Sequence, residues 1–145
     1  TLLEPGCWIT LAPDANITVG DGCFLNRGVM LAAHDRIEIG DHVMFANNCF
    51  VGDASHKFDD PDVPITWQGF ESKGPVSIGS NCWFGVNCVV TSGVTIGDRC
   101  VIGANSVVTS DLPDGVIAAG SPAKVIREIK FHGAEAQGSG SQSQE

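Results

Sequence analysis

Basic residues are scarce in this chain, with 8 lysines and arginines against 17 aspartates and glutamates, a net charge of −9. No run of lysine or arginine occurs, so the positive patch that a nucleic acid or an anionic membrane surface would need is missing. Long apolar runs are also missing: no stretch approaches the ~20 residues of a membrane span, and nothing reads as a secretory signal. The chain starts at Thr1 rather than Met, so a preceding segment is expected. The composition therefore argues against a nucleic-acid or anionic-membrane partner, and a length of 145 residues points to one domain.

What the chain does contain is a six-residue rhythm. In VSIGSNCWFGVNCVVTSGVTIGDRCVIGANSVV, Ile78, Phe84, Val90, Ile96, Ile102 and Val108 stand six apart, with glycine following at 79, 85, 97 and 103. Four residues after each leading apolar residue comes a slim one: Cys82, Cys88, Val94, Cys100 and Ser106. This period fits neither a helix of 3.6 residues per turn nor an alternating strand; a long internal repeat outranks other signals. Each hexad reads as a short strand and a corner, with Gly, Asn or Asp at the corner because these tolerate positive φ. Three hexads make a triangular coil, and coils stack as parallel strands about 4.7–4.9 Å apart. No coil alone could bury its apolar edge, so stacking supplies the core.

The register begins clearly at Val19, Leu25 and Leu31; residues 1–18 read as an entry segment or partial first coil. AAHDR carries a two-residue corner insertion, after which Ile39, Phe45 and Val51 resume the count. Counting in threes assigns Val19, Ile39, Ile78 and Ile96 to a first face, Leu25, Phe45, Phe84 and Ile102 to a second, and Leu31, Val51, Val90 and Val108 to a third. About four coils result. A long loop, residues 54–75, leaves and rejoins at one corner; its Ile65, Trp67 and Phe70 favour an ordered, docked loop. After Pro113 and Gly115, a short amphipathic helix over about 122–130 is expected to cover the open end, with Ser121 as N-cap and Val125, Ile126 and Ile129 as its apolar side. Residues 1–132 form the expected domain, and the polar tail 133–145 is expected to be disordered.

Five of the six cysteines, Cys23, Cys49, Cys82, Cys88 and Cys100, occupy the inward position of a hexad; Cys7 alone escapes it. They read as small core residues rather than a disulfide framework. Cys49 and Cys88 stack in adjoining coils, and the reducing cytoplasm, the expected location, keeps them free.

Three segments, SHKFDDPDVPI, the hexads from Gly74 to Val108, and GVIAAGSPAKVIREI, together resemble the hexapeptide-repeat acyltransferases, in the branch of the maltose and galactoside O-acetyltransferases and the capsule or lipopolysaccharide sugar acetyltransferases. The resemblance, with the earlier hexads, covers nearly all of residues 19–130. It implies an all-β, left-handed parallel β-helix, although parallel crossovers are generally right-handed. It also implies homotrimers with sites between subunits, and acetyl-CoA in the groove between them as acetyl donor to a small acceptor, a sugar or similar hydroxylated molecule.

The resemblance makes His56 the general base that takes the acceptor's proton, a role suited to an imidazole, and Asn26 the donor that stabilises the oxyanion. Relatives often carry a second histidine where this chain has Ala54. The cofactor would run past Trp83, Gly85, Ala104, Thr109 and Ser110, with its phosphates near Lys124 and Arg127, three apart on one side of the expected helix. Two polar residues of relatives are replaced here by Val86 and Ser110. His34 and His42 fall in corners and His132 precedes the tail; each reads as solvent-facing. A zinc site would need three converging imidazoles, a spacing this chain does not resemble, so no metal is expected. Alternatives are N-acetylation of an amino sugar, acetylation of an antibiotic, or a non-catalytic β-helix that only binds.

Overall fold

The computed structural model describes residues 1–133, so the expected disordered tail lies, apart from its first residue, outside the described residues. Each coil repeats the same three strands. The first contains β1 (Leu2–Leu3), β2 (Trp8–Leu11) and β3 (Asn16–Val19); the second, β4 (Phe24–Leu25), β5 (Met30–Ala33) and β6 (Arg36–Ile39). In the third, β7 (Met44–Phe45) and β8 (Phe50–Gly52) precede the long loop with β9 (Ser55–His56) and β10 (Phe70–Glu71), and β11 (Val76–Ile78) closes the coil. Then come β12 (Trp83–Phe84), β13 (Val89–Val90) and β14 (Thr95–Ile96), followed by β15 (Val101–Ile102), β16 (Val107–Val108) and a bridge from Leu112 to Ile96. β17 (Val116–Gly120) and β18 (Ala123–Glu128) end the fold. No helix among the described residues is long and apolar enough to cross a membrane.

The three faces match the hexad count. Val19, Ile39, Ile78 and Ile96 are successive partners on the first face. Leu25, Phe45, Phe84 and Ile102 follow on the second, and Leu31, Val51, Val90 and Val108 on the third. All are buried except Val19, which packs against the core from a half-buried position. The winding is that of the left-handed β-helix. Corners turn on residues in left-handed backbone conformation: Asn87 and Asn105 have φ of 58° and 60°, and the Asn87 amide donates to the Asn105 amide oxygen across coils at 3.1 Å.

The coils number five, one more than the hexads predict, because residues 1–18 form a complete coil. This also returns Cys7 to the register. Leu3 pairs with Leu25, so Cys7 stands four residues after an inward leucine, where it packs against the core and its thiol donates to the Asn26 carbonyl at 3.1 Å. The other five cysteines are buried, and all six are free.

The expected C-terminal helix over 122–130 is absent. Ala123–Glu128 is a strand, antiparallel to β17 and completing a seven-stranded second face. A helix would have left the β17 edge with unpaired backbone groups, and the β-branched Val125 and Ile126 suit a strand. Both are exposed, so the apolar side assigned to them packs against no core.

Of the loop's apolar cluster only Phe70 docks, its ring meeting His34, while Trp67 is 79% exposed. Hydrogen bonds order the rest of the loop. β9 and β10 pair, and the Gln68 side chain accepts from the Asp60 N–H (3.1 Å) and donates to the Asp60 and Val63 carbonyls.

Candidate active site

His56 sits at the corner between the third and first faces, in β9, where its cross-strand partner is Phe70. Phe70 lies between two imidazoles, with ring centroids 4.5 Å from His56 and 4.0 Å from His34. These rings wall a pocket of about 470 Å³ whose other lining includes Leu11, Met30, Ala32 and Phe50 on the outside of the third face. A second pocket of about 350 Å³, lined by Lys73, Thr91, Ser92 and Thr109, shares Phe50, Ala54 and Ser55 with it. The two form one groove along this corner, apolar beside His56 and hydroxyl-lined beyond it.

Asp53 holds this corner from inside. It is fully buried, and its carboxylate accepts the backbone N–H groups of His34 (2.6 Å), Asp35 (2.8 Å) and Arg36 (2.8 Å). Charge-assisted bonds from three donors offset the desolvation that an isolated buried carboxylate would suffer. The Ser72 hydroxyl donates to the Asp53 carbonyl and accepts from the Gly74 N–H at 3.0 Å, which ties the two ends of the loop together.

Thr109 and Ser110 lie at this corner too, whereas the other predicted residues gather on the second face and the corner where it meets the third. Asn26 donates its backbone N–H to Phe45, Ala46 to Phe84, Gly85 to Ile102 and Gly103 to Ala118, so Asn26 and Gly85 share one row, two coil spacings or about 9–10 Å apart. A Cβ on Gly85 would meet the Ala104 nitrogen at 2.7 Å, which puts these two in direct contact. The Asn26 side-chain oxygen accepts from the Arg27 N–H at 2.8 Å, leaving the amide nitrogen to donate.

Trp83, Val101, Ile117 and Arg127 are successive partners across the same face. Lys124 and Arg127, three apart, would point to opposite sides of a regular strand. A bulge opposite Ile117 and Ala118 corrects this: Arg127 pairs with Ile117 and Lys124 with Ala119, two residues apart and so on one side. The shared side foreseen for a helix is thus present on a strand.

The predicted set therefore forms two groups. Asn26, Trp83, Gly85, Ala104, Lys124 and Arg127 come together on and beside the second face, whereas His56, Thr109 and Ser110 lie across the third face at its other corner. The single groove foreseen past Gly85 and Thr109 is not formed within one chain.

A family model described as the hexapeptide repeat of succinyl-transferase matches residues 75–110. Among solved structures, a hexapeptide-repeat containing acetyltransferase of Vibrio cholerae, complexed with acetyl coenzyme A, superposes with a TM-score of 0.75 at 32% identity, over 90% of this chain and 68% of that one. The chain belongs to the hexapeptide-repeat acetyltransferases. A probable acetyltransferase of Mycobacterium tuberculosis is 38% identical over 144 residues, which is 93% of this chain and 48% of that protein. The galactoside O-acetyltransferase of Escherichia coli is 38% identical over 115 residues, 79% of this chain and 55% of that protein. The chain thus spans about half the length of these relatives.

Within this hexapeptide-repeat chain, sequence reasoning missed two residues of the His56 pocket, His34 and Phe70 as a ring partner, and the buried Asp53 behind it. A signal for Asp53 existed. It stands two after the inward Val51, at the same parity along the strand, and a carboxylate pointing inward needs donors. The two-residue insertion at His34–Arg36 supplies them. His34, read as solvent-facing, is indeed exposed, yet its ring rests on Phe70.

Proposed function

We propose that this chain is the β-helix domain, residues 1–132, of an acetyl-CoA-dependent O-acetyltransferase acting on a hydroxyl of a sugar or similar small acceptor. The observation that carries this reading is His56 itself: an exposed imidazole, fixed by the β9–β10 pair and Phe70 at the mouth of a pocket sized for a small acceptor.

In this mechanism His56 takes the proton from the acceptor hydroxyl as its oxygen attacks the thioester carbonyl. The Asn26 amide donates to the resulting oxyanion, the carbon–sulfur bond breaks, and the imidazolium returns the proton to the leaving coenzyme A sulfur. No covalent enzyme intermediate is involved, consistent with buried cysteines at 23, 49, 82, 88 and 100. Asn26 and His56 belong to opposite corners of the third face, so the reading requires that one copy supplies Asn26, Trp83, Gly85, Ala104, Lys124 and Arg127 while its neighbour supplies His56, Thr109 and Ser110. A homotrimer with sites between subunits satisfies this. The hydroxyl-lined stretch beside His56 fits the amide-bearing arm of acetyl-CoA, and the paired cations of β18 fit its phosphates.

The test is thiol release from acetyl-CoA with a panel of sugars and other hydroxylated acceptors, using the full-length protein and its His56→Ala variant. Loss of about 10²–10⁴-fold in turnover with unchanged oligomeric state is expected. Undiminished turnover in the variant overturns the base assignment, and wild-type inactivity across the panel favours a binding module.

A further inference from the structure

The buried carboxylate of Asp53 does more than satisfy a corner. A two-residue insertion leaves the backbone N–H groups of His34, Asp35 and Arg36 without ladder partners, and Asp53 takes all three. These bonds set the height at which the His34 ring meets Phe70, 4.0 Å away. On the other side of Phe70, 4.5 Å away, stands His56. The Asp53 carbonyl meanwhile receives the Ser72 hydroxyl, and Ser72 directly follows the strand that carries Phe70. Both supports of the Phe70 ring therefore converge on one residue.

We propose that Asp53 is a positioning residue: by holding the His34 corner through its carboxylate and the base of the loop through its carbonyl, it sets the His34–Phe70–His56 stack and with it the direction of the His56 imidazole. The proposal rests on reading His56 as the base. Asp53 is buried and does not line the pocket, so it acts through its neighbours rather than on the reacting atoms. Its effect is geometric. A base displaced by about 1 Å loses on the order of 10² in rate, so an isosteric change at Asp53 reaches turnover without altering a substrate contact.

The experiment compares Asp53→Asn with wild type in the full-length protein by steady-state kinetics and by NMR of the histidine Hε1 protons, which the Phe70 ring current shifts. The amide keeps the size but offers one acceptor oxygen in place of two. The expected result is a fall in kcat of about 10²-fold, an unchanged KM for acetyl-CoA, and movement of the His34 and His56 resonances away from their ring-shifted positions. An unchanged kcat overturns the proposal, as does a lower kcat with an unmoved His56 resonance. Should Asp53→Asn not fold, Ser72→Ala removes only the hydroxyl that holds the Asp53 carbonyl; the same displaced resonance is expected, and an unmoved one overturns the proposal. The NMR arm reads the stack even if His56→Ala shows that His56 is not the base, so the two failures are distinguishable.

Discussion

The Phe45 ring lies flat on that of Phe84, with centroids 4.6 Å apart and planes inclined by 14°. These rings are cross-strand partners on the second face and are fully buried. Each coil buries its apolar edge only against its neighbours, so a deletion here damages two interfaces together. Phe84→Ala is expected to destabilise the fold by about 3–5 kcal/mol, measured by urea unfolding.

Gly85 allows two coils to close at the corner beside Asn26. Its hydrogen side faces the Ala104 backbone, where a methyl would stand 2.7 Å from nitrogen and 2.9 Å from Cα. Backbone yields less readily than a side chain, so Gly85→Ala should cost about 1–3 kcal/mol. Gly69→Ala is the contrast: its Cβ meets nothing within 4 Å, although its φ of +83° carries some strain. Thermal unfolding of the two variants, with Gly85→Ala the lower, checks the point.

Burial pushes the Cys82 thiol up from 9.0 to about 12, and hydrogen bonding to Cys88, together with burial, pushes Cys49 up as well. Above pH 9 the unfolded chain releases these protons while the folded chain retains them. Raised thiols therefore favour the folded state below about pH 9, and that contribution is lost as pH rises from about 9 towards 12. Denaturant midpoints under reducing conditions should fall across this window, and replacing Cys82 with Ala should flatten the decline.

Arg127 stands in the row of Trp83 across the second face, and Lys124, paired with Ala119, stands two positions along on the same side. If they meet acetyl-CoA phosphates, Lys124→Ala and Arg127→Ala should each raise its KM by about two- to fivefold, the range of an exposed charge contact, with kcat unchanged. Added salt should narrow the difference. Steady-state kinetics at two ionic strengths checks this.

Much of the architecture was legible because the six-residue period is a property of each rung by itself. An inward Ile, Val or Phe followed four residues later by a slim side chain describes the same short strand wherever it occurs, and counting in threes gives the faces. The looser first coil hid Cys7 because Leu3 and Ile9 lie at an open end, 46% and 45% exposed, where apolar spacing is less constrained. The terminal segment was misread for a related reason: Val125, Ile126 and Ile129 fit a helix stripe as well as a strand, and the unpaired edge of β17 settles the matter.

At the candidate site, sequence alone determined the hexad register, the buried cysteines in it, the corner from which the loop departs, and His56 as the loop's imidazole. Tertiary structure decided which of the chosen residues meet. Asn26, Gly85, Ala104, Lys124 and Arg127 converge on one corner and its adjoining face because the coils stack in register and a bulge at Ile126 turns β18 by one residue. His56 stands at another corner, beside Phe70, His34 and Asp53. These associations join residues 14–36 positions apart in the chain through hydrogen bonds and ring contacts, and a local period carries no information about partners at that separation.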